Sequence, residues 1–124
     1  PENKVLRQRY AYSLMASGEY EAAKKAYDNL WKDFPTDHSI LLDLALLYKV
    51  TGKYDEATKI LERAVKEFPG ADTYYAYALH LVEVKRNKEA INYLKKFLES
   101  APAEDKSRRA QASALLRELL KEIK

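Results

Sequence analysis

The sequence predicts an all-α chain, an α-solenoid of helix-turn-helix repeats, and three observations carry that prediction. Gly18 and Gly52, Tyr20 and Tyr54, Ala23 and Ala57, Phe34 and Phe68, and Pro35 and Pro69 all stand 34 residues apart. Self-similarity at such a period means that one supersecondary unit has been copied. Apolar residues recur at intervals of three and four, the spacing of a helix face, and no stretch alternates long enough to argue a strand. Gly and Pro are scarce, three and four in 124 residues, and nearly all of them fall at equal spacings where a helix must stop.

The first unit, about residues 4–37, reads as a helix over roughly 3–17, a break at Gly18 and a second helix over roughly 20–33 before Pro35. The second unit, about 38–70, repeats this with helices over roughly 38–51 and 54–67, broken at Thr51-Gly52 and closed by Pro69. In the third, about 71–104, Ala90 and Pro102 follow Ala57 and Pro69 by 33 residues, so one residue has been lost. The Pro69-Gly70 junction, opposite Pro35-Thr36-Asp37, is the place for the loss, and the helices fall over about 72–85 and 87–100. Each proline lies just past a helix end, where its missing N–H costs least and its ring blocks continuation. Asp37 and Asp72 are available as N-caps of the helices that follow.

Two series carry the register beyond the third unit. Ala11, Ala45, Ala78 and Ala112 follow one another at 34, 33 and 34, and Leu14, Tyr48, Leu81 and Leu115 do the same. The last segment, about 105–124, is therefore a seventh helix, with Leu119 where Gly52 breaks the second unit. Leu115, Leu119 and Leu120 are expected to cover the third unit while the charged side faces out, which is what a repeat array needs as a cap. Residues 1–124 read as a single domain.

Composition excludes several classes. Twenty-two basic against nineteen acidic residues leave +3 in a chain one-third charged, so no single-sign field favours nucleic acid or membrane. With 47% apolar and 11% aromatic residues the chain is no solvated tail. The absence of cysteine removes disulfides, thiol chemistry and cysteine-ligated zinc, and suits the cytosol and the periplasm equally. No apolar run approaches the ~18 residues of a membrane span. A chain that starts at Pro1 and not Met reads as a processed or excised piece.

No catalytic, metal or cofactor site is expected. His80 has Glu83 three residues on, but a metal site needs three or four ligands and nothing is spaced to join them. No phosphate-binding glycine loop and no nucleophile or zinc-protease motif occurs. Lys85, Arg86 and Lys88, and Arg108, Arg109 and Arg117, have acids interleaved nearby and read as charges that keep a face solvated.

Gly18-Glu19-Tyr20-Glu21-Ala22-Ala23 and Gly52-Lys53-Tyr54-Asp55-Glu56-Ala57, each followed by a proline twelve residues after the last alanine, resemble the tetratricopeptide repeat. The third unit departs from the pattern, with Lys85 in the glycine position and Asn87 in that of tyrosine. The resemblance implies three repeats and a closing helix wound into a right-handed superhelix, with the first helix of each repeat on the concave side. It implies protein recognition and not catalysis. Ala11, Ala45 and Ala78, with Ala23, Ala57 and Ala90, are small where paired helices cross closely. Trp31 reads as packing between units, with stacking on a ligand the alternative.

The first helices carry two apolar stripes. One comprises Leu6, Tyr10 and Leu14, Ile40, Leu44 and Tyr48, and Tyr77 and Leu81, and is needed for packing. The second comprises Val5, Tyr12 and Met15, Leu42 and Leu46, and Tyr75, Leu79 and Val82. A helix apolar on two faces has one surface more than its own unit buries. By the family geometry this second stripe faces the groove, interspersed with Gln8, Arg9, Asp43, Lys49, Asp72 and Glu83. It suits an amphipathic helix or extended apolar segment of a protein partner, unless side chains or flanking repeats cover it from within. Family members that grip the C-terminal tail of heat-shock chaperones place Lys, Asn and Arg at positions where this chain has Gln8, Tyr12, Asp43, Asp72 and Ala76, so that partner is not expected. Three readings stay open: a partner-binding scaffold, such as a module of a bacterial secretion, export or assembly protein; a self-assembly module using the same stripe or the first helix; and an engineered repeat with no partner.

Overall fold

A computed structural model of the chain describes residues 3–123. Among them lie seven α-helices and no strand: α1 (Lys4–Ala16), α2 (Tyr20–Asp33), α3 (His38–Val50), α4 (Tyr54–Glu67), α5 (Ala71–Glu83), α6 (Asn87–Ser100) and α7 (Lys106–Glu122). The 34-residue period thus sets the order and nearly the ends of every helix. No helix among the described residues is long and apolar enough to cross a membrane. The backbone divides into two compact units, the boundary falling inside α4 between Ala64 and Val65.

One turn recurs in all three repeats. After α1, Glu19 N–H bonds to Leu14 O at 2.9 Å and Gly18 N–H to Met15 O at 3.0 Å. After α3, Lys53 bonds to Tyr48 at 2.8 Å and Gly52 to Lys49 at 3.0 Å; after α5, Arg86 bonds to Leu81 at 2.8 Å and Lys85 to Val82 at 3.1 Å. This pairing satisfies the last carbonyls of a helix and requires a left-handed residue at its pivot. Gly18 (φ 87°), Gly52 (φ 82°) and Lys85 (φ 67°) supply it, so the third repeat keeps the turn without the glycine.

In the first unit Ala11, Ala23, Tyr27, Leu30 and Ile40 are wholly buried, with Leu14, Met15, Leu44 and Leu47 beside them. Trp31, Phe34, Leu46 and Ile60 pack against this core, and the Arg63 guanidinium lies 5.2 Å from the centre of the Trp31 ring. Trp31 is therefore a packing residue, braced by a side chain of the next repeat. The first stripe is corrected at its start: Leu6 and Tyr10 are 60% and 63% exposed, while Ile40 and Leu44, 34 residues on, are 0% and 5% exposed. No earlier helix lies beside α1 among the described residues to bury that face.

The second unit packs α5 on α6 and α6 on α7. Tyr77, Ala78, His80, Leu81, Ala90, Leu94 and Phe97 are buried, and Tyr77 meets Tyr93 edge-on with ring centres 4.8 Å apart. Burying a large apolar side chain is worth about 1.5–3 kcal/mol, so each such row is a main source of stability. The alanines expected at the crossings are buried: Ala11, Ala23, Ala57, Ala78, Ala90 and Ala112 all have 0% exposure and Ala45 has 2%.

The caps are mixed. Asp37 caps α3 by accepting from Ser39 N–H at 3.1 Å, as the sequence predicts. Asp72 does not cap α5; it lies inside the first turn, and Gly70 holds the cap position because the lost residue shortens the junction. Thr73, in the slot of Ile40, is buried and donates to Phe68 O at 2.7 Å. On α7, Ala112 and Leu119 are buried and Leu115 half-buried, but Leu120 is 39% exposed and is not part of the covering face.

Candidate partner-binding groove

The predicted groove residues divide between the two units. In the first, Val5, Gln8, Arg9 and Tyr12 fall at i, i+3, i+4 and i+7 of α1 and so share one face. With Ser13 and Asp43 of α3 they line an open cleft of about 400 Å³. A second cleft of about 320 Å³ adjoins it through Tyr12, lined also by Met15, Ala16, Tyr20, Leu46 and Val50. Val5 and Tyr12 are 58% and 50% exposed, so apolar surface stands open here. Met15 is only 6% exposed and belongs mainly to the core, touching the cleft from below. Leu42 and Lys49 are half-buried and line neither cleft.

Polar groups on the cleft floor are organised by one side chain of α1. Gln8 Nε2 donates to Asp43 Oδ2 at 3.0 Å and to Ser39 Oγ at 3.1 Å. Ser39 Oγ in turn donates to Asp37 Oδ1 at 2.7 Å, and Asp37 pairs with Lys4. The Tyr27 hydroxyl is buried beneath Asp43, close to the carboxylate but outside good hydrogen-bond geometry. Burial, together with the neighbouring Asp37 charge, pushes the Asp43 carboxyl above its ordinary range, although Gln8 and Tyr27 act the other way. Burial first, then the Asp43 charge, holds the Tyr27 proton well above the usual phenol range.

In the second unit the groove residues lie on α5. Tyr75, Leu79 and Val82 are half-buried, and Asp72 and Glu83 exposed. Tyr75 is already engaged: its hydroxyl donates to Gln111 Oε1 of α7 at 2.5 Å, and its ring lies 4.8 Å from that of Phe97. Arg108 of α7 places its guanidinium carbon 5.4 Å from the centres of both rings and bonds to Asp72 at 3.1 Å and Asp105 at 2.6 Å. Arg109 donates to Leu98 O at 2.9 Å and Ala101 O at 3.0 Å, satisfying carbonyls at the end of α6. Arg108 and Arg109 are thus built into the fold, whereas Arg117 is exposed. Composition gave no sign of that difference, and Ser13, Tyr20 and Val50 were likewise missed as cleft lining because they lie off the predicted stripe.

Residues 14–81 and 71–104 match two family models, each described as tetratricopeptide repeat. No curated protein matches the chain. Among solved structures, the type III secretion chaperone SycD of Yersinia enterocolitica, in complex with a peptide of the translocator YopD, is similar over 100% of this chain and 97% of its own, with 21% identity and a TM-score of 0.83. PcrH, known from Pseudomonas aeruginosa and solved with the chaperone binding region of PopD, is similar over 100% of this chain and 96% of its own, with 14% identity and a TM-score of 0.82. The first such domain of Spaghetti, bound to an HSP90 peptide, covers 98% of this chain and 96% of its own at 16% identity, with a TM-score of 0.80. At these identities the likeness is one of fold.

Proposed function

The chain belongs to the tetratricopeptide-repeat family, and we propose that it is a non-enzymatic scaffold that binds an apolar or amphipathic segment of a partner protein in the cleft that α1 and α3 form in the first unit. The observation that carries this reading is the open cleft pair of the first unit, where exposed Val5 and Tyr12 stand over a fixed Gln8–Asp43 floor. Concave, mostly apolar surface with a few oriented polar groups is what a peptide site requires. SycD, PcrH and the Spaghetti domain, of the same fold, are each solved with a peptide or region of another protein. Binding of a heat-shock chaperone tail is not proposed, because Asp43, bonded to neutral Gln8, would meet its carboxylate as a like charge. A photocrosslinking residue placed at Tyr12 or Leu46 should form an adduct with the partner that unlabelled chain competes away. Adducts from the exposed α4 position Lys59 alone would move the recognition surface to α4.

A second reading, self-association through α1, is favoured by the exposure of Leu6 and Tyr10, 60% and 63%, at places that the second repeat buries.

A further inference from the structure

Asp43 stands apart from its neighbours in what it is bonded to. In the first unit Asp28 meets Lys24, Asp33 meets Arg7 and Asp37 meets Lys4, each as an ion pair. Asp43 is half-buried and is bonded to the neutral amide of Gln8, with the neutral Tyr27 hydroxyl beneath and another acid, Asp37, as its charged neighbour. Arg9, exposed on the cleft rim, is bonded to none of these groups. A carboxylate partly removed from water and held near a like charge gains more from an arriving cation than an exposed one does.

The chain itself shows what fills such a place. In the second unit carboxylates and aromatic faces together hold one guanidinium: Arg108 is 2.6 Å from Asp105 Oδ2 and 3.1 Å from Asp72 Oδ1, and its central carbon is 5.4 Å from the ring centres of Tyr75 and Phe97. In the first unit a tyrosine and an aspartate, Tyr12 and Asp43, again line one cleft, of about 400 Å³, and among the described residues no guanidinium is paired with Asp43 as Arg108 is with Asp72. We propose that this cleft is a receptor for an arginine side chain within the partner's apolar segment, its guanidinium bonded to Asp43 and lying against Tyr12, and the adjoining apolar residue seated on Val5. A planar guanidinium satisfies both demands, a carboxylate fork and an aromatic face, which a lysine ammonium meets less well. This assignment rests on the groove being the binding surface.

The test is selection of a random phage-displayed peptide library on the intact chain, followed by a double-mutant cycle. Peptides enriched on the parent should carry arginine beside apolar residues. Replacing that arginine by neutral, isosteric citrulline should weaken binding about ten-fold on the parent and less than about two-fold on Asp43→Asn, the difference being the coupling between the two groups. Because the citrulline change is made in the peptide, its effect on the parent does not depend on how the variant folds. Enrichment of apolar peptides without arginine, whose binding Tyr12→Ser abolishes, would overturn the arginine assignment and leave the groove standing. Peptides that bind undiminished to both Tyr12→Ser and Asp43→Asn would overturn the assignment and the groove reading together.

Discussion

Lys85 holds a left-handed conformation, φ 67°, where Gly18 and Gly52 hold 87° and 82°. A side chain there crowds the following carbonyl at a cost of roughly 1–2 kcal/mol, which glycine does not meet. Lys85→Gly should therefore stabilise the chain by about 1 kcal/mol, less than the full strain because glycine also gains freedom when unfolded. An unchanged or lower denaturation midpoint would mean that the turn has relaxed around lysine. The period places this turn from the sequence; its strain shows only in the backbone. Asp43 gives a residue-scale prediction in pH. Its carboxyl is pushed up by burial from the ordinary 3.8, so between that value and the raised one the folded state holds a proton that the unfolded chain has lost. Stability contributed at this site therefore falls as pH rises through that window. Asp37 works oppositely: burial raises its carboxyl, but Lys4 and Ser39 more than offset this, and its stabilisation is lost as pH falls through its lowered pKa. Asp43→Asn keeps an oxygen for Gln8 and removes the charge. It should be more stable than the parent at pH 7, with the gap closing toward pH 3.8 in paired denaturation curves. A gap that does not change with pH would show that Asp43 does not titrate abnormally.

At the scale of the element, α7 shows why part of the structure was open to sequence reading and part was not. The alanine series predicts the helix and its inward face, because each close crossing needs a small residue at the same place in every repeat, and Ala112 is wholly buried. The roles of the arginines escape the same reading. Arg108, Arg109 and Arg117 look alike along the chain, yet only the first two reach groups on other elements, Asp72 on α5 and the carbonyls of Leu98 and Ala101. Whether a charged side chain is solvated or built in depends on where a distant helix ends. Arg109→Ala should cost about 1–3 kcal/mol, because carbonyls at the end of α6 lose a charged donor. Arg117→Ala, on an exposed position, should stay within about 0.5 kcal/mol. Leu119→Ala should cost about 2–5 kcal/mol, since Leu119 is 3% exposed and its loss leaves a cavity under α7. Equal urea midpoints for the two arginine variants would dismiss the docking role of Arg109.

Across the whole molecule, position in the array overrides the repeat pattern. Leu6, Ile40 and Thr73 share one register position, and Tyr10, Leu44 and Tyr77 another. The periodicity treats each set as equivalent and marks the apolar members as core. In the structure Ile40, Thr73, Leu44 and Tyr77 are 0–5% exposed, whereas Leu6 and Tyr10 are 60% and 63% exposed. What differs is the surroundings and not the local sequence: a repeat unit buries this face only when another element lies against it. Replacing Leu6 and Tyr10 by serine should therefore change the stability of the isolated chain by no more than about 0.5 kcal/mol each. Leu44→Ala, the register twin of Tyr10, should cost about 2–5 kcal/mol. Urea unfolding of the three variants measures the contrast, and a large loss from the serine pair in dilute solution would place the α1 face in the monomer's core. The same pair bears on assembly. Sedimentation of the parent at rising concentration should show a mass above that of one chain if copies cover α1, and the serine variants should return it to 14.3 kDa. Parent and variants sedimenting alike as single chains would leave α1 with no self-association to lose, and the groove as the surface by which the molecule meets others.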